Sequence, residues 1–173
     1  MTNEKGLHPR NIHRQGYDFQ TLLKESPELS FYVKASPYDG AATIDYADPE
    51  AVLALNKALL SFHYKIKDWS IPKGHLCPPV PGRADYLHYI ADILSENNSG
   101  KIPVGTNIKG LDIGTGTSCI YPLLGNSIYG WKFVGVDINP DAINNVKNIL
   151  NANPTHKKNI KTRFQKNNDH IFQ

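Results

Sequence analysis

Two short apolar runs, each ending in an acid, constrain this chain more than any other feature. The first is Ile108-Lys-Gly-Leu-Asp-Ile-Gly-Thr-Gly-Thr-Ser118. Leu111 and Ile113 alternate about Asp112 as in a strand, and the run passes straight into a glycine turn. Gly114 and Gly116 have no Cβ, so the backbone turns sharply there and a ligand can come close. Thr117 or Ser118 is expected to cap a helix carrying Ile120, Tyr121, Leu123 and Leu124, with Gly125 ending it. The second run, Trp131-Lys-Phe-Val-Gly-Val-Asp-Ile138, is rich in β-formers and ends in Asp137, 25 residues after Asp112. Strand, glycine turn, helix and acid-terminated strand form a βα-β unit, the repeating piece of an open parallel sheet. The fold class is therefore α/β.

Such a unit seats nucleotide-like ligands, and the second-strand acid is placed for the two hydroxyls of a ribose. A dinucleotide fingerprint has a third glycine in Gly-x-Gly-x-x-Gly. Here that position is Cys119, and an acid precedes the first glycine. Asp-x-Gly-x-Gly with a second-strand acid resembles instead the S-adenosylmethionine site of class I methyltransferases, whose cofactor has a ribose but no pyrophosphate. A nicotinamide-dependent dehydrogenase is disfavoured by Cys119. A tight βα turn with no ligand is the plainer alternative.

With 173 residues, one domain with a small addition is expected. The net charge of +3 is too small to indicate a nucleic-acid partner by itself. Its distribution says more. Lys157, Lys158, Lys161, Arg163 and Lys166 face one acid, Asp169, from Thr155 onward, and Lys5, His8, Arg10, His13 and Arg14 lie close together at the start. Basic clusters hold phosphate backbone, and they also occur as solvated faces. Cys77 and Cys119 fit neither a zinc site nor a disulfide framework, and the histidines make no ligand pair at helical spacing. No metal is expected. No apolar run is long enough to span a bilayer and no signal peptide is recognised, so a soluble cytoplasmic protein without a membrane partner is the expectation.

The first twenty residues are polar and basic, and Pro9 and Gly16 argue against one continuous helix. A short helix is expected within Thr21 to Leu29, a turn at Ser36-Pro-Tyr-Asp-Gly40, and an extended stretch at Thr43–Tyr46. Asp48-Pro-Glu50 is a helix start, and Val52, Leu55, Leu59 and Phe62 give that helix an apolar face ending near His63 or Tyr64. Trp69 and Ile71 lie in a connector. Leu76-Cys-Pro-Pro-Val-Pro-Gly-Arg-Ala-Asp-Tyr86 is expected to be extended and rigid, turning helical through Tyr86, Leu87, Ile90, Ile93 and Leu94. Arg83 on that segment is either a salt-bridge partner for Asp85 or a clamp for a ligand carboxylate. Asn139-Pro-Asp141 starts another helix, ended by Asn153-Pro154, and Ile160–Gln165 alternates as a third strand.

His8-Pro-Arg-Asn11, Thr43-Ile-Asp45, Leu55-Asn-Lys-Ala-Leu-Leu60, the Leu76–Tyr86 run and Leu111-Asp-Ile-Gly-Thr-Gly-Thr-Ser-Cys-Ile-Tyr-Pro-Leu-Leu-Gly125 resemble the ribosomal RNA large subunit methyltransferase F family from about Gly6 to Gln165. That family is similar to a eukaryotic group methylating adenines in small nuclear and messenger RNA. The resemblance implies a class I S-adenosylmethionine-dependent methyltransferase (Rossmann-like) fold. Residues 1–100 would be a mainly helical, RNA-contacting auxiliary segment with a cofactor-clamping loop at 76–86, and residues 101–173 the first half of the methyltransferase domain. It implies transfer of a methyl group from S-adenosylmethionine to the N6 amine of one adenine in 23S ribosomal RNA. Arg83 would hold the methionine carboxylate and Asp112 would sit near the amino acid end. Gly114 and Gly116 would allow backbone approach, Ser118 would hydrogen-bond from the helix start, and Asp137 would take the ribose. Lys5, Arg10 and Arg14 would contact RNA, and Asn167 to Asp169 are candidates for the adenine edge.

Enzymes of this type carry Asn-Pro-Pro-aromatic after the fourth strand, and no such run occurs here: Cys77-Pro-Pro-Val80 and Asn153-Pro154-Thr155 lack its parts. The fourth strand and the catalytic motif are expected to lie beyond Gln173, so no catalytic residue is assigned within the chain. The fold is therefore expected to be incomplete, the first strand to be an exposed edge open to association, and the chain alone to be catalytically inactive. A non-catalytic RNA- or partner-binding module, or methylation of another RNA, are the alternatives.

Overall fold

The computed structural model describes residues 6–171. Gln173, past which the catalytic motif is expected, lies outside the described residues, as does the candidate RNA contact Lys5. The described chain opens irregularly, with a 3-10 turn at Ile12–Gln15 capped by the Asn11 side chain. Helix α1 (Phe19–Glu25) follows, with Asp18 accepting from the Thr21 N–H. The short helix expected within Thr21 to Leu29 ends at Glu25, and Pro27 opens a separate 3-10 turn to Phe31. The proline ring disfavours helical geometry at the residue before it. Strands β1 (Lys34–Ala35) and β2 (Ala42–Thr43) make a small antiparallel hairpin around the expected turn. Only Thr43 of the expected extended stretch is paired, because the Asp45 carboxylate then accepts from the Ala47 N–H and curls the backbone.

Helix α2 (Pro49–Tyr64) begins as read from the sequence, with the Asp48 side chain accepting from the Glu50 N–H at 2.9 Å. Helix α3 (Val80–Glu96) begins six residues earlier than expected, so Pro81, Gly82 and Arg83 are helical rather than extended. A proline in the first turn costs no hydrogen bond, since that N–H has no partner within a helix.

The parallel sheet follows in order: β3 (Lys109–Ile113), α4 (Ile120–Tyr129), β4 (Lys132–Asp137), α5 (Pro140–Ala152), the single turn α6 (Pro154–Lys157) and β5 (Ile160–Phe164). Strand order is β3-β4-β5, with Leu111 opposite Val134 and Val134 opposite Lys161. The parallel sheet and its βα order fit the class I methyltransferase fold. Phe133 projects between β3 and α4, and its ring occupies the space that a Cβ would need at Gly110 and at Gly125. Gly125 therefore lies inside α4 rather than ending it. Gly130 ends the helix, at φ 72°. One buried cluster runs from Phe19 and Leu22 through Leu59, Val80 and Leu87 to Leu123, Val146 and Ile160, so the helical segment and the sheet share a core. Among the described residues, β3 is a sheet edge, with Leu111 and Ile113 partly exposed on it. None of the described helices is long and apolar enough to cross a membrane.

Candidate functional site

The two acids reach the same place because β3 and β4 are parallel and in register: Asp112 lies opposite Gly135, two residues before Asp137. The strands end side by side, and the glycine turn leaves β3 over that end. Gly114 and Thr115 both donate backbone N–H groups to Val136 O, at 2.9 and 3.0 Å. Gly114 and Gly116 have φ of 75° and 63°, a left-handed backbone that side chains rarely adopt, and a Cβ at either would meet nothing within 4 Å. The turn is thus held from below and open above.

Asp137 is already engaged with this turn. One carboxylate oxygen accepts from Gly116 N–H at 2.9 Å and the other from Asn139 N–H at 2.8 Å. Each oxygen keeps a further lone pair for an incoming hydroxyl. Asp112 differs. Burial pushes its carboxyl above the usual carboxylate range, the neighbouring Thr115 hydroxyl opposes this, and the charge of Asp137 adds to the rise. Its buried Oδ2 has no hydrogen-bond partner among the described residues. A buried oxygen left unpaired costs on the order of 1–3 kcal/mol, which a donor, above all a cationic one, would recover.

The helix start after the turn also differs from expectation. Neither Thr117 nor Ser118 caps α4. The N-cap is Cys119, at φ 50°, and it makes no side-chain cap hydrogen bond. The first N–H groups of α4 therefore carry no side-chain cap, as an anion or polar ligand would require. Cys119 is fully buried, and burial pushes its thiol up to about 12, so it is an inert part of the core.

Arg83 lies in the first turn of α3, with its guanidinium 5.7 Å from the centre of the Tyr121 ring, beside the start of α4. The alternative partner, Asp85, is taken elsewhere: its Oδ1 accepts from the His8 N–H and from Asn11 Nδ2. Asp112, Gly114, Gly116, Ser118 and Asp137 thus lie on or beside the glycine turn, while Arg83 approaches from α3 against Tyr121 at the start of α4. Three contributors carried no plain signal in the sequence. Trp69 Nε1 donates to Ser118 O at 2.8 Å, Asn145 Nδ2 bridges Thr117 O and Ser70 O, and Asn139 fixes Asp137. A lone tryptophan in a polar connector was the one available hint.

The N-terminal cations are placed differently. Arg10 bonds Asp92 and His88 O, both at 2.8 Å, and His8 Nε2 meets the same aspartate at 2.9 Å. This ties residues 8–11 to α3. Arg14 is exposed beyond that tie. Asn167, the first of the adenine-edge candidates, caps a 3-10 turn at Asn168–His170 through the Asp169 N–H.

Residues 1–173 match a family described as RNA methyltransferase. The ribosomal RNA large subunit methyltransferase F of Pseudomonas paraeruginosa is 52% identical over 167 residues, covering 96% of this chain and 50% of that protein. The protein of the same name from Flavobacterium johnsoniae is 53% identical over 153 residues, covering 88% and 48%. The chain spans about half the length of the curated relatives it matches. Among solved structures, the N-terminal domain of human METTL16 in complex with SAH superposes with a TM-score of 0.79 at 33% identity, covering 94% of this chain and 62% of that one. The hMettl16 catalytic domain in complex with the MAT2A 3′UTR hairpin 6 gives 0.79 at 31% identity, covering 94% and 55%.

Proposed function

This chain belongs to the RNA methyltransferase family, and we propose that it supplies the S-adenosylmethionine seat and part of the RNA contact of an adenine-N6 ribosomal RNA methyltransferase. The observation that carries the proposal is the pair of carboxylates at the ends of β3 and β4, one of them with a buried, unpartnered oxygen. A cofactor with a cationic amino group fits Asp112, where the pyrophosphate of a dinucleotide would meet repulsion. Asp137 keeps lone pairs for the ribose hydroxyls while its two backbone bonds hold it still. Arg83 would hold the methionine carboxylate, Gly114 and Gly116 would allow close approach, and Ser118 and the uncapped start of α4 would donate hydrogen bonds. S-adenosylmethionine supplies an already activated methyl group, so the protein's part is to orient the cofactor and the target amine rather than to move protons.

Methyl transfer to the N6 amine of an adenine in 23S ribosomal RNA is proposed for the whole protein, which would work in the cytoplasm. Its curated relatives are named for ribosomal RNA, and a structural neighbour is described in complex with an RNA hairpin. Residues 1–100 would act as the auxiliary, RNA-contacting segment and 101–173 as the first half of the methyltransferase domain. Lys5 and Arg14 would touch RNA phosphates directly, while Arg10 would set the path of that segment through Asp92. The 173 residues contain no Asn-Pro-Pro-aromatic run to accept and stack the adenine. A second reading follows from that composition, in which this chain on its own is an RNA- or partner-binding module without turnover.

The test is calorimetric binding of S-adenosylmethionine to the chain and to Asp137→Ala. The substitution removes a charged acceptor worth roughly 1.5–3 kcal/mol and should weaken binding at least about tenfold. Unchanged affinity in a folded variant would remove Asp137 from the site.

A further inference from the structure

We propose that the face formed by α5, α6 and the outer edge of β5 is a second RNA contact, remote in sequence from the N-terminal cations, which holds phosphate backbone without reading sequence. The proposal deepens the RNA reading above and rests on it only for the identity of the polyanion. Its first support is a segregation of charge. From residue 142 to 168 the chain has six cations and no acid, whereas the rest of the chain has 13 Lys and Arg against 16 Asp and Glu. A protein of modest net charge thus concentrates its positive charge in one stretch.

The fold then gathers that charge around a concavity. A cleft of about 330 Å3 is lined by Lys147, Lys157 and Lys161, with Asn151 and Thr162 between them. Among the described residues, no acidic side chain lines it. The three lysines come from three different elements, α5, α6 and β5, and all are exposed. Lys157 Nζ donates to Asn151 Oδ1 at 2.8 Å, which leaves two of its three N–H groups for a ligand. Compensation of helix dipoles would explain lysines in a last turn. It explains neither Lys147, which is in the middle of α5, nor Lys161, which is on a strand. The concavity includes Leu150 and Ile160 as its apolar floor. An apolar floor with cationic walls suits the sugar–phosphate backbone of an RNA strand.

The experiment is RNA binding as a function of salt. The unaltered chain and a Lys147→Gln, Lys157→Gln, Lys161→Gln variant would be titrated with two RNA hairpins of unrelated sequence. Each phosphate neutralised contributes about 0.7–0.9 to the slope of log affinity against log salt, so the triple variant should lose roughly 2–3 of slope and about tenfold or more of affinity at low salt. The loss should be equal for both hairpins. The corresponding triple Lys→Arg variant should restore binding, and Lys34→Gln, which removes a cation paired with Asp45 at 3.1 Å, should change nothing. S-adenosylmethionine affinity should be the same in all of these. An unchanged slope in the Gln variant would overturn the proposal and leave the cofactor reading standing. Absence of RNA binding by the unaltered chain would also overturn it. RNA binding lost as expected, in a chain that binds no S-adenosylmethionine, would uphold the lysine face while the methyltransferase reading fails.

Discussion

Asp112 and Asp137 have the same side chain and different surroundings, and the difference defines their parts. Both are half-buried, but Asp137 is bonded through both oxygens, while Asp112 has a buried Oδ2 without a partner. His13 shows the same logic away from the site. It is buried, Nε2 meets the Tyr64 hydroxyl at 2.8 Å, and burial, with help from His63 and His88, lowers its pKa to about 4. The unfolded chain therefore takes up its proton near pH 6.5, before the folded chain does. The stability this neutral histidine contributes is complete above pH 6.5 and declines as pH falls toward 4, by on the order of 3 kcal/mol. His63, His88 and His156 are lowered as well, again chiefly by burial, and add to the trend. Melting temperature should fall steeply from pH 6.5 to pH 4. His13→Gln should melt lower at pH 7 but lose less on acidification. An acid limb of the same depth in that variant would rule out His13 as its source.

At the scale of elements, what was local in sequence was legible. Asp48-Pro and Asn139-Pro start helices because a side-chain acceptor, a fixed φ and an orphan N–H lie within three residues of one another. The three strands of the parallel sheet, and the acids of the first two, followed from alternation and β-rich composition. The length of α4 was not legible, because Gly125 reads as a helix stop and its true reason is a ring eight residues on. A Cβ there would lie 2.6 Å from Phe133 Cζ. Gly125→Ala should therefore destabilise the protein by about 1–3 kcal/mol through overpacking, although alanine gains up to ~1 kcal/mol in helix propensity. Thermal denaturation would show it; a variant at least as stable as the parent would mean that the Phe133 ring moves aside freely. The ties from residues 8–11 to α3 and from Trp69 to Ser118 were equally hidden, since they join positions dozens of residues apart with no periodic signature.

The whole molecule is asymmetric. Helices α4 and α5 pack on the sheet and α2 and α3 complete one shared core, yet among the described residues β3 presents a free edge with Leu111 at 42% and Ile113 at 53% exposure. An unpaired apolar edge templates further strands. The chain should associate with itself at high concentration, and Leu111→Lys with Ile113→Lys should return it to a monomer in sedimentation experiments. A monomeric parent at all concentrations would contradict that view of the edge. The proposed cofactor seat, at the carboxyl ends of the strands, includes the end of this free-edged β3, so affinity for a ligand bound there should be modest in this chain alone. The central claim is that this seat is built for S-adenosylmethionine. The most direct test is parallel calorimetric titration of the chain with S-adenosylmethionine and with NAD. One S-adenosylmethionine per chain, with no heat of binding from NAD, is the predicted result; NAD binding of equal strength, or no S-adenosylmethionine binding by the folded chain, would contradict it.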